Sequence, residues 1–253
     1  LNKIEVNVKV NWQESYKTLK LKFPVSFNQR HSTHEIPYGH VSREANGHEK
    51  PIQNWVDVTG TIGKHREDIY GLSILNDAKY GVDVVGNTIN LTVLRSPIFA
   101  HHAPFVPEVD EDYPIIDQGI QTFTYQLLPH EDSWEEAETV KHALELNQKP
   151  QFVVETYHAG TLPQEDSFIS IDKPNVILSA LKKAENLDGL IIRLYETTNQ
   201  ETIVNVDMKK WGRKLELEFG PSEIKTFFIP KDENQPIVET NLIEDLEKAL
   251  VTV

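Results

Sequence analysis

Ile4-Glu5-Val6-Asn7-Val8-Lys9-Val10-Asn11-Trp12 places an apolar side chain at every second position. A period of two marks a β-strand with one buried face, because successive side chains leave an extended backbone on opposite sides. The same period returns in Leu19-Lys20-Leu21-Lys22-Phe23, Leu91-Thr92-Val93-Leu94 and Phe123-Thr124-Tyr125-Gln126-Leu127. Asn46-Gly47, Gly86-Asn87 and Pro129 are turn signals between such runs. Strands joined by connections of variable length, with little helical periodicity, predict an all-β chain of sandwich architecture. One stretch departs from the pattern. Ser133, then Glu136, Val140, Leu144 and Leu146, reads as a capping box opening a helix of about three turns.

Gly160-Thr161-Leu162-Pro163-Gln164-Glu165-Asp166 is a polar, proline-containing connector. It predicts a domain boundary, with a large β-sandwich over residues 1–170 and a small C-terminal β-sandwich over 171–253. Strands of the second are expected at 176–184, 190–196, 202–207, 215–219 and 224–229. The β-branched segment 237–243 is expected to add another strand rather than trail as a tail.

Of the 253 residues 39 % are hydrophobic and 25 % charged, ordinary values for a folded soluble chain. The net charge of −14 repels phosphate backbones and anionic lipid heads, which argues against nucleic-acid and membrane partners and leaves a neutral sugar unpenalised. No apolar run approaches the roughly 20 residues that span a bilayer. With no cysteine there is neither a disulfide framework nor a thiolate zinc site, and a reducing, cytoplasmic compartment is expected. Asn90-Leu91-Thr92 has the form of a glycosylation sequon. A first residue Leu1 and a single Met208 fit a piece of something longer.

Ten histidines are the remaining source of chemistry. His31, His34, Glu35 and His40, or His101 and His102, can be drawn as metal clusters. However, His31 and His34 have opposite parity on an extended chain, and none of the spacings is that of a defined site. They are read as surface and loop histidines. Asp110-Glu111-Asp112 is a loop cluster of a kind that can hold Ca²⁺, but it is read as solvated. A glycosidase needs two carboxylates flanking a sugar, and no local arrangement here selects two. Gly-rich phosphate loops, GxSxG elbows and HExxH motifs are absent. The residues alone describe an acidic β-sandwich protein without a self-contained active site.

An ordered series of motifs goes further: Glu35-Ile36-Pro37-Tyr38-Gly39-His40, Asn54-Trp55-Val56-Asp57-Val58, the run from Gly71 to Gly81, Leu91 to Pro97, Asp117-Gln118-Gly119, and Phe123 to His130. Leu181-Lys182-Lys183-Ala184-Glu185, Arg193-Leu194-Tyr195-Glu196 and Glu223-Ile224-Lys225-Thr226 continue it. This series resembles the C-terminal region of family 38 α-mannosidases of the bacterial and cytosolic-vacuolar type, over nearly the whole chain. In that family a stretch like 238–244 precedes the strand resembling 221–226, whereas here it follows.

The resemblance implies a large sandwich of the galactose mutarotase-like supersandwich kind, a smaller sandwich after it, and a retaining exo-α-mannosidase as parent. It places zinc, the nucleophile and the acid/base in an N-terminal barrel followed by a helical bundle, so neither a catalytic residue nor a metal ligand is expected here. Expected partners are an α-mannoside or glycan substrate and the parent's own barrel and bundle, with self-association left open. In this family the sandwich packs on the barrel and completes one wall of the sugar pocket. Arg95, at a strand end closed by Pro97, is the leading candidate for substrate contact, with a structural salt bridge holding barrel to sandwich as its alternative. Asp77, Lys79 and Tyr80 form a polar-aromatic turn that joins the same wall or serves only as a turn. Tyr38 and His40 read as buried hydrogen-bonding residues. A free-standing carbohydrate-binding sandwich is the rival, and Trp12 and Trp55, whose strand patterns read as buried, lean against it.

Overall fold

A computed structural model describes residues 3–26, 29–62, 68–99, 106–245 and 251–252. The period-two runs become strands throughout, and the chain divides into two units, Leu1–Ile36 with Val41–Lys149, and Pro37–His40 with Pro150–Val253. The first carries β1 (Ile4–Trp12), β2 (Thr18–Pro24), β3 (His31–Ile36), β4 (Gly39–Glu44), β5 (Lys50–Pro51), β6 (Trp55–Thr61), β7 (Ile69–Asn76), β8 (Gly81–Val85), β9 (Thr88–Arg95), β10 (Gly119–Glu131) and helix α1 (Thr139–Asn147). Its six-stranded sheet runs β1-β10-β7-β6-β3-β4 and its four-stranded sheet β2-β9-β8-β5. Val56, Val58 and Ile74 of the first sheet pack on Val82, Val84, Ile89 and Leu91 of the second, each at most 4 % exposed. Alternation thus delivers one apolar face of each sheet to a shared core. Gly86, at φ 53° in the two-residue link from β8 to β9, takes a left-handed conformation that glycine reaches without strain.

The second unit holds β11 (Ser170–Ile171), β12 (Val176–Lys183), β13 (Gly189–Glu196), β14 (Thr202–Met208), β15 (Arg213–Phe219), β16 (Ile224–Pro230), β17 (Val238–Thr240) and β18 (Val251–Thr252). Sheets β11-β14-β15 and β12-β13-β16-β17-β18 enclose a core of Ile192, Leu194, Val204, Val206, Met208, Leu217 and Phe227. Of the segment expected at 237–243, only Val238–Thr240 pairs, as β17 on β16, and Asn241 opens a turn whose Oδ1 accepts from the Ile243 N–H at 3.1 Å. The expected boundary at 170 differs from the observed division after Lys149. The end of the intervening segment is tied into the second unit by an Asp166–Lys210 ion pair and by the Phe168 ring lying 6.1 Å from that of Trp211.

Five local expectations need correction. Pro129 is no turn but sits inside β10, paired with Leu72; β1 pairs no further along β10 than Leu127, so on that side a missing N–H interrupts no described ladder. The capping turn at Ser133 forms, with Glu136 N–H donating to its Oγ at 3.4 Å, but the helix begins only at Thr139 because Glu138 is left-handed at φ 50°. Asn90 of the sequon is 5 % exposed and donates to Asp83 Oδ2 at 2.7 Å, so the folded chain withholds it from modification. His34 is buried in β3, bonded to Ser32 Oγ at 2.8 Å. Burial, with the charges of Arg43 and Lys50, pushes its pKa down to about 4. Tyr38 is an exposed turn residue at φ 56°.

Two polar clusters are buried within this apolar frame. Glu35 accepts from the Asn54 N–H, and burial pushes its pKa up to about 7 against that bond. Asp57 on β6 receives Thr59 Oγ1 at 2.6 Å, Ser73 Oγ at 2.7 Å and His130 Nε2 at 2.8 Å. Because the Ser73 proton points to Asp57, the 2.8 Å contact between Ser73 and Thr139 has Thr139 as donor, which ties the start of α1 to the sheet.

Candidate functional site

Asn76 ends β7 fully buried and turns its side chain back on the chain. Its Oδ1 accepts from the N–H groups of Ala78 at 3.2 Å and Lys79 at 2.6 Å, an Asx turn that fixes the link to β8. That link presents Lys79 and Tyr80 to a groove of about 760 Å³. Arg95, the last residue of β9, reaches the same groove, and Asp117, just before β10, and Gln121, within it, close the groove. Three of the four candidate residues therefore meet. Asp77 does not join them. Its backbone N–H and its carboxylate both engage Thr124 on β10, at 3.2 and 2.9 Å, so it clamps the turn.

The groove's chemistry is that of directed hydrogen bonding. The Arg95 backbone N–H donates to Asp117 Oδ2 at 3.3 Å, and among the described residues no carboxylate pairs with its exposed guanidinium. Lys79 Nζ donates to Gln121 Oε1 at 3.1 Å and lies 5.1 Å from the Phe123 ring centroid. Partial burial lowers its pKa, opposed by the charges of Asp117 and Asp77. Gln121 Nε2 in turn donates to the Asp117 carbonyl at 3.2 Å. Lys20 is held between Glu49 and Asp83. Tyr80, 54 % exposed, offers an aromatic face beside these donors.

Sequence reasoning missed Asp117 and Gln121 as groove residues. The quoted Asp117-Gln118-Gly119 motif was the available signal, but nothing in it shows that residue 117 meets residue 95. His101 and His102 lie outside the described residues, and among those described no three His, Asp or Glu side chains gather to hold a metal ion.

Residues 1–104 match the family model described as "Glycosyl hydrolases family 38 C-terminal domain", and residues 175–227 the one described as "Glycosyl hydrolases family 38 C-terminal beta sandwich domain". Alpha-mannosidase 2C1 of Mus musculus is 32 % identical over 206 residues, covering 76 % of this chain and 18 % of that protein. Alpha-mannosidase G of Dictyostelium discoideum is 29 % identical over 218 residues, covering 80 % and 18 %. The chain spans less than a fifth of the length of these curated relatives. A solved structure of an alpha-mannosidase from Enterococcus faecalis V583 superposes with a TM-score of 0.71, covering 90 % of this chain and 27 % of that one; at 20 % identity the likeness speaks to the fold. Two models of one family, in chain order, cover more than half of the residues, and each falls on one of the two sandwiches. The chain belongs to the C-terminal region of glycosyl hydrolase family 38.

Proposed function

We propose that this chain is the non-catalytic C-terminal portion of a retaining, zinc-dependent exo-α-mannosidase of the cytoplasm, and that the groove around Arg95 forms part of the wall of its sugar site. The convergence of Arg95, Lys79 and Tyr80 on one groove carries the reading. Zinc and the carboxylate pair belong to the catalytic barrel in this proposal, and no chemical step is routed through residues of this chain. Arg95 acts by donating hydrogen bonds to sugar hydroxyls, a role that needs no charge on the substrate.

A hydrogen bond to a charged group contributes about 1.5–3 kcal/mol, and each 1.36 kcal/mol is about tenfold in rate. In the parent enzyme, Arg95→Ala should therefore lower kcat/KM for an aryl α-mannoside roughly ten- to a hundredfold with an unchanged melting curve. Normal kinetics with a lower melting temperature would give Arg95 a structural role instead. The purified 253-residue chain should not turn over the same substrate with zinc added, and measurable turnover would refute its non-catalytic status. A free-standing carbohydrate-binding module is the second reading, favoured by the exposed Tyr80 ring. Saturable glycan binding by the isolated chain, lost in Tyr80→Ala, would support it.

A further inference from the structure

Residues 151–161, between α1 and β11, form no helix, strand or turn. They open with Phe152-Val153-Val154-Glu155-Thr156-Tyr157, a β-branched and aromatic run of the kind that fills strands. Yet Phe152, Val153, Val154 and Tyr157 are 88, 87, 89 and 104 % exposed, and Leu162 follows at 84 %. Disordered linkers are poor in these residue types. Among the described residues, no backbone–backbone hydrogen bond holds 151–166 to a sheet. Both ends are nevertheless anchored, the first by α1 and the second by the Asp166–Lys210 and Phe168–Trp211 contacts. A segment tethered at both ends docks intramolecularly, at an effective concentration that a free peptide lacks.

We propose that residues 152–162 are a docking segment whose occupant is the remainder of the family 38 polypeptide, received by strand addition or in an apolar groove. The inference rests on the reading of this chain as part of a longer enzyme. The relatives argue for that occupant, since this chain accounts for 18 % of the curated proteins and 27 % of the solved one. A second copy is disfavoured because each carries a net charge of −14.

Hydrogen exchange on the 253-residue chain and on the full-length polypeptide tests it. Amides 152–157 should exchange freely in the former and slow by about a hundredfold or more in the latter, as backbone groups do on entering a sheet. Val154→Asp with Tyr157→Asp should leave the melting of the short chain unchanged and lower that of the full-length protein by about 4 °C or more. Protection already present in the short chain, or none in the long one, overturns the inference. So does a dimer of the short chain, seen by sedimentation, that the double variant dissociates. An active full-length mannosidase without protection leaves the proposed function standing and removes the docking segment, and protection in an inactive full-length protein does the reverse.

Discussion

Gly71→Ala is expected to lower the stability of the first unit by about 3–5 kcal/mol, because it strands a buried carboxylate. Gly71 pairs with Thr59 on one side and His130 on the other, and a Cβ there would stand 2.0 Å from His130 Cε1 and 2.7 Å from Thr59 Oγ1. The imidazole must swing away, and Asp57, 1 % exposed, loses its ion partner. For a unit of this size the loss corresponds to a melting temperature about 6–20 °C lower. Near-ultraviolet circular dichroism would report it through the Trp55–Trp134 pair, whose ring centroids are 4.8 Å apart. The pH profile carries a second signature. Burial opposes the charged form of His130, but the hydrogen bond to Asp57 and its charge outweigh burial and raise the pKa above 6.5. Stabilisation from the pair is thus full below pH 6.5 and is lost as pH rises through the higher folded value. Glu35, raised to about 7, and His34, lowered to about 4, also bend the curve. Subtracting the variant profile from the wild-type profile isolates the His130 contribution. An unchanged melting temperature in Gly71→Ala would mean that the ring does not lie over Gly71 in solution.

Glu196→Ala should cost the second unit about 3 kcal/mol or more, since it leaves three backbone donors without an acceptor at about 1–3 kcal/mol each, offset in part by entering water. The Glu196 carboxylate is fully buried and accepts from Thr198 N–H at 2.7 Å, Ser222 N–H and Asn175 Nδ2 at 3.0 Å, and Gln200 N–H at 3.1 Å. It binds together the turn after β13 and the turn before β16. Those turns hold Asn199 at φ 59° and Ser222 at φ 54°, left-handed conformations that persist only when the surroundings over-determine them. Burial works against the charge, yet these donors, led by the Thr198 hydroxyl, keep the pKa below its ordinary value. The stabilisation is therefore present above the ordinary carboxylate range and lost as pH falls through the folded value. Urea unfolding followed at Trp211 should show a lower midpoint with an unchanged slope. An unchanged midpoint would assign the turns' stability elsewhere.

Strand positions were legible because a period of two needs only local sequence to be seen. The five predicted strands of the second unit correspond to β12–β16. Pro129 misled because it was judged as punctuation, when its place in β10 depends on where β1 stops. Glu196 stood within a quoted motif, but its donors at residues 175, 198, 200 and 222 come from separate turns and announce nothing locally. The groove shows the same limit. Arg95 was visible from the Pro97 stop, and Lys79 and Tyr80 from their turn. Asp77 differs from them only in where its carboxylate points, and Asp117 counts only once the entry to β10 in one sheet meets the end of β9 in the other.

A long-range pairing also governs how the protein can be made. β1 finds its partner in β10, with Ile4 opposite Leu127 and Trp12 opposite Gly119. During synthesis β1 must therefore wait for β10, an interval on the order of ten seconds at ordinary rates of synthesis. Throughout it Val6, Val8, Val10 and Trp12 present an unpaired, strand-ready edge to the cell. Nascent-chain chaperones should occupy β1 until β10 has emerged, and ribosome stalling between residues 12 and 119 should leave β1 open to proteases.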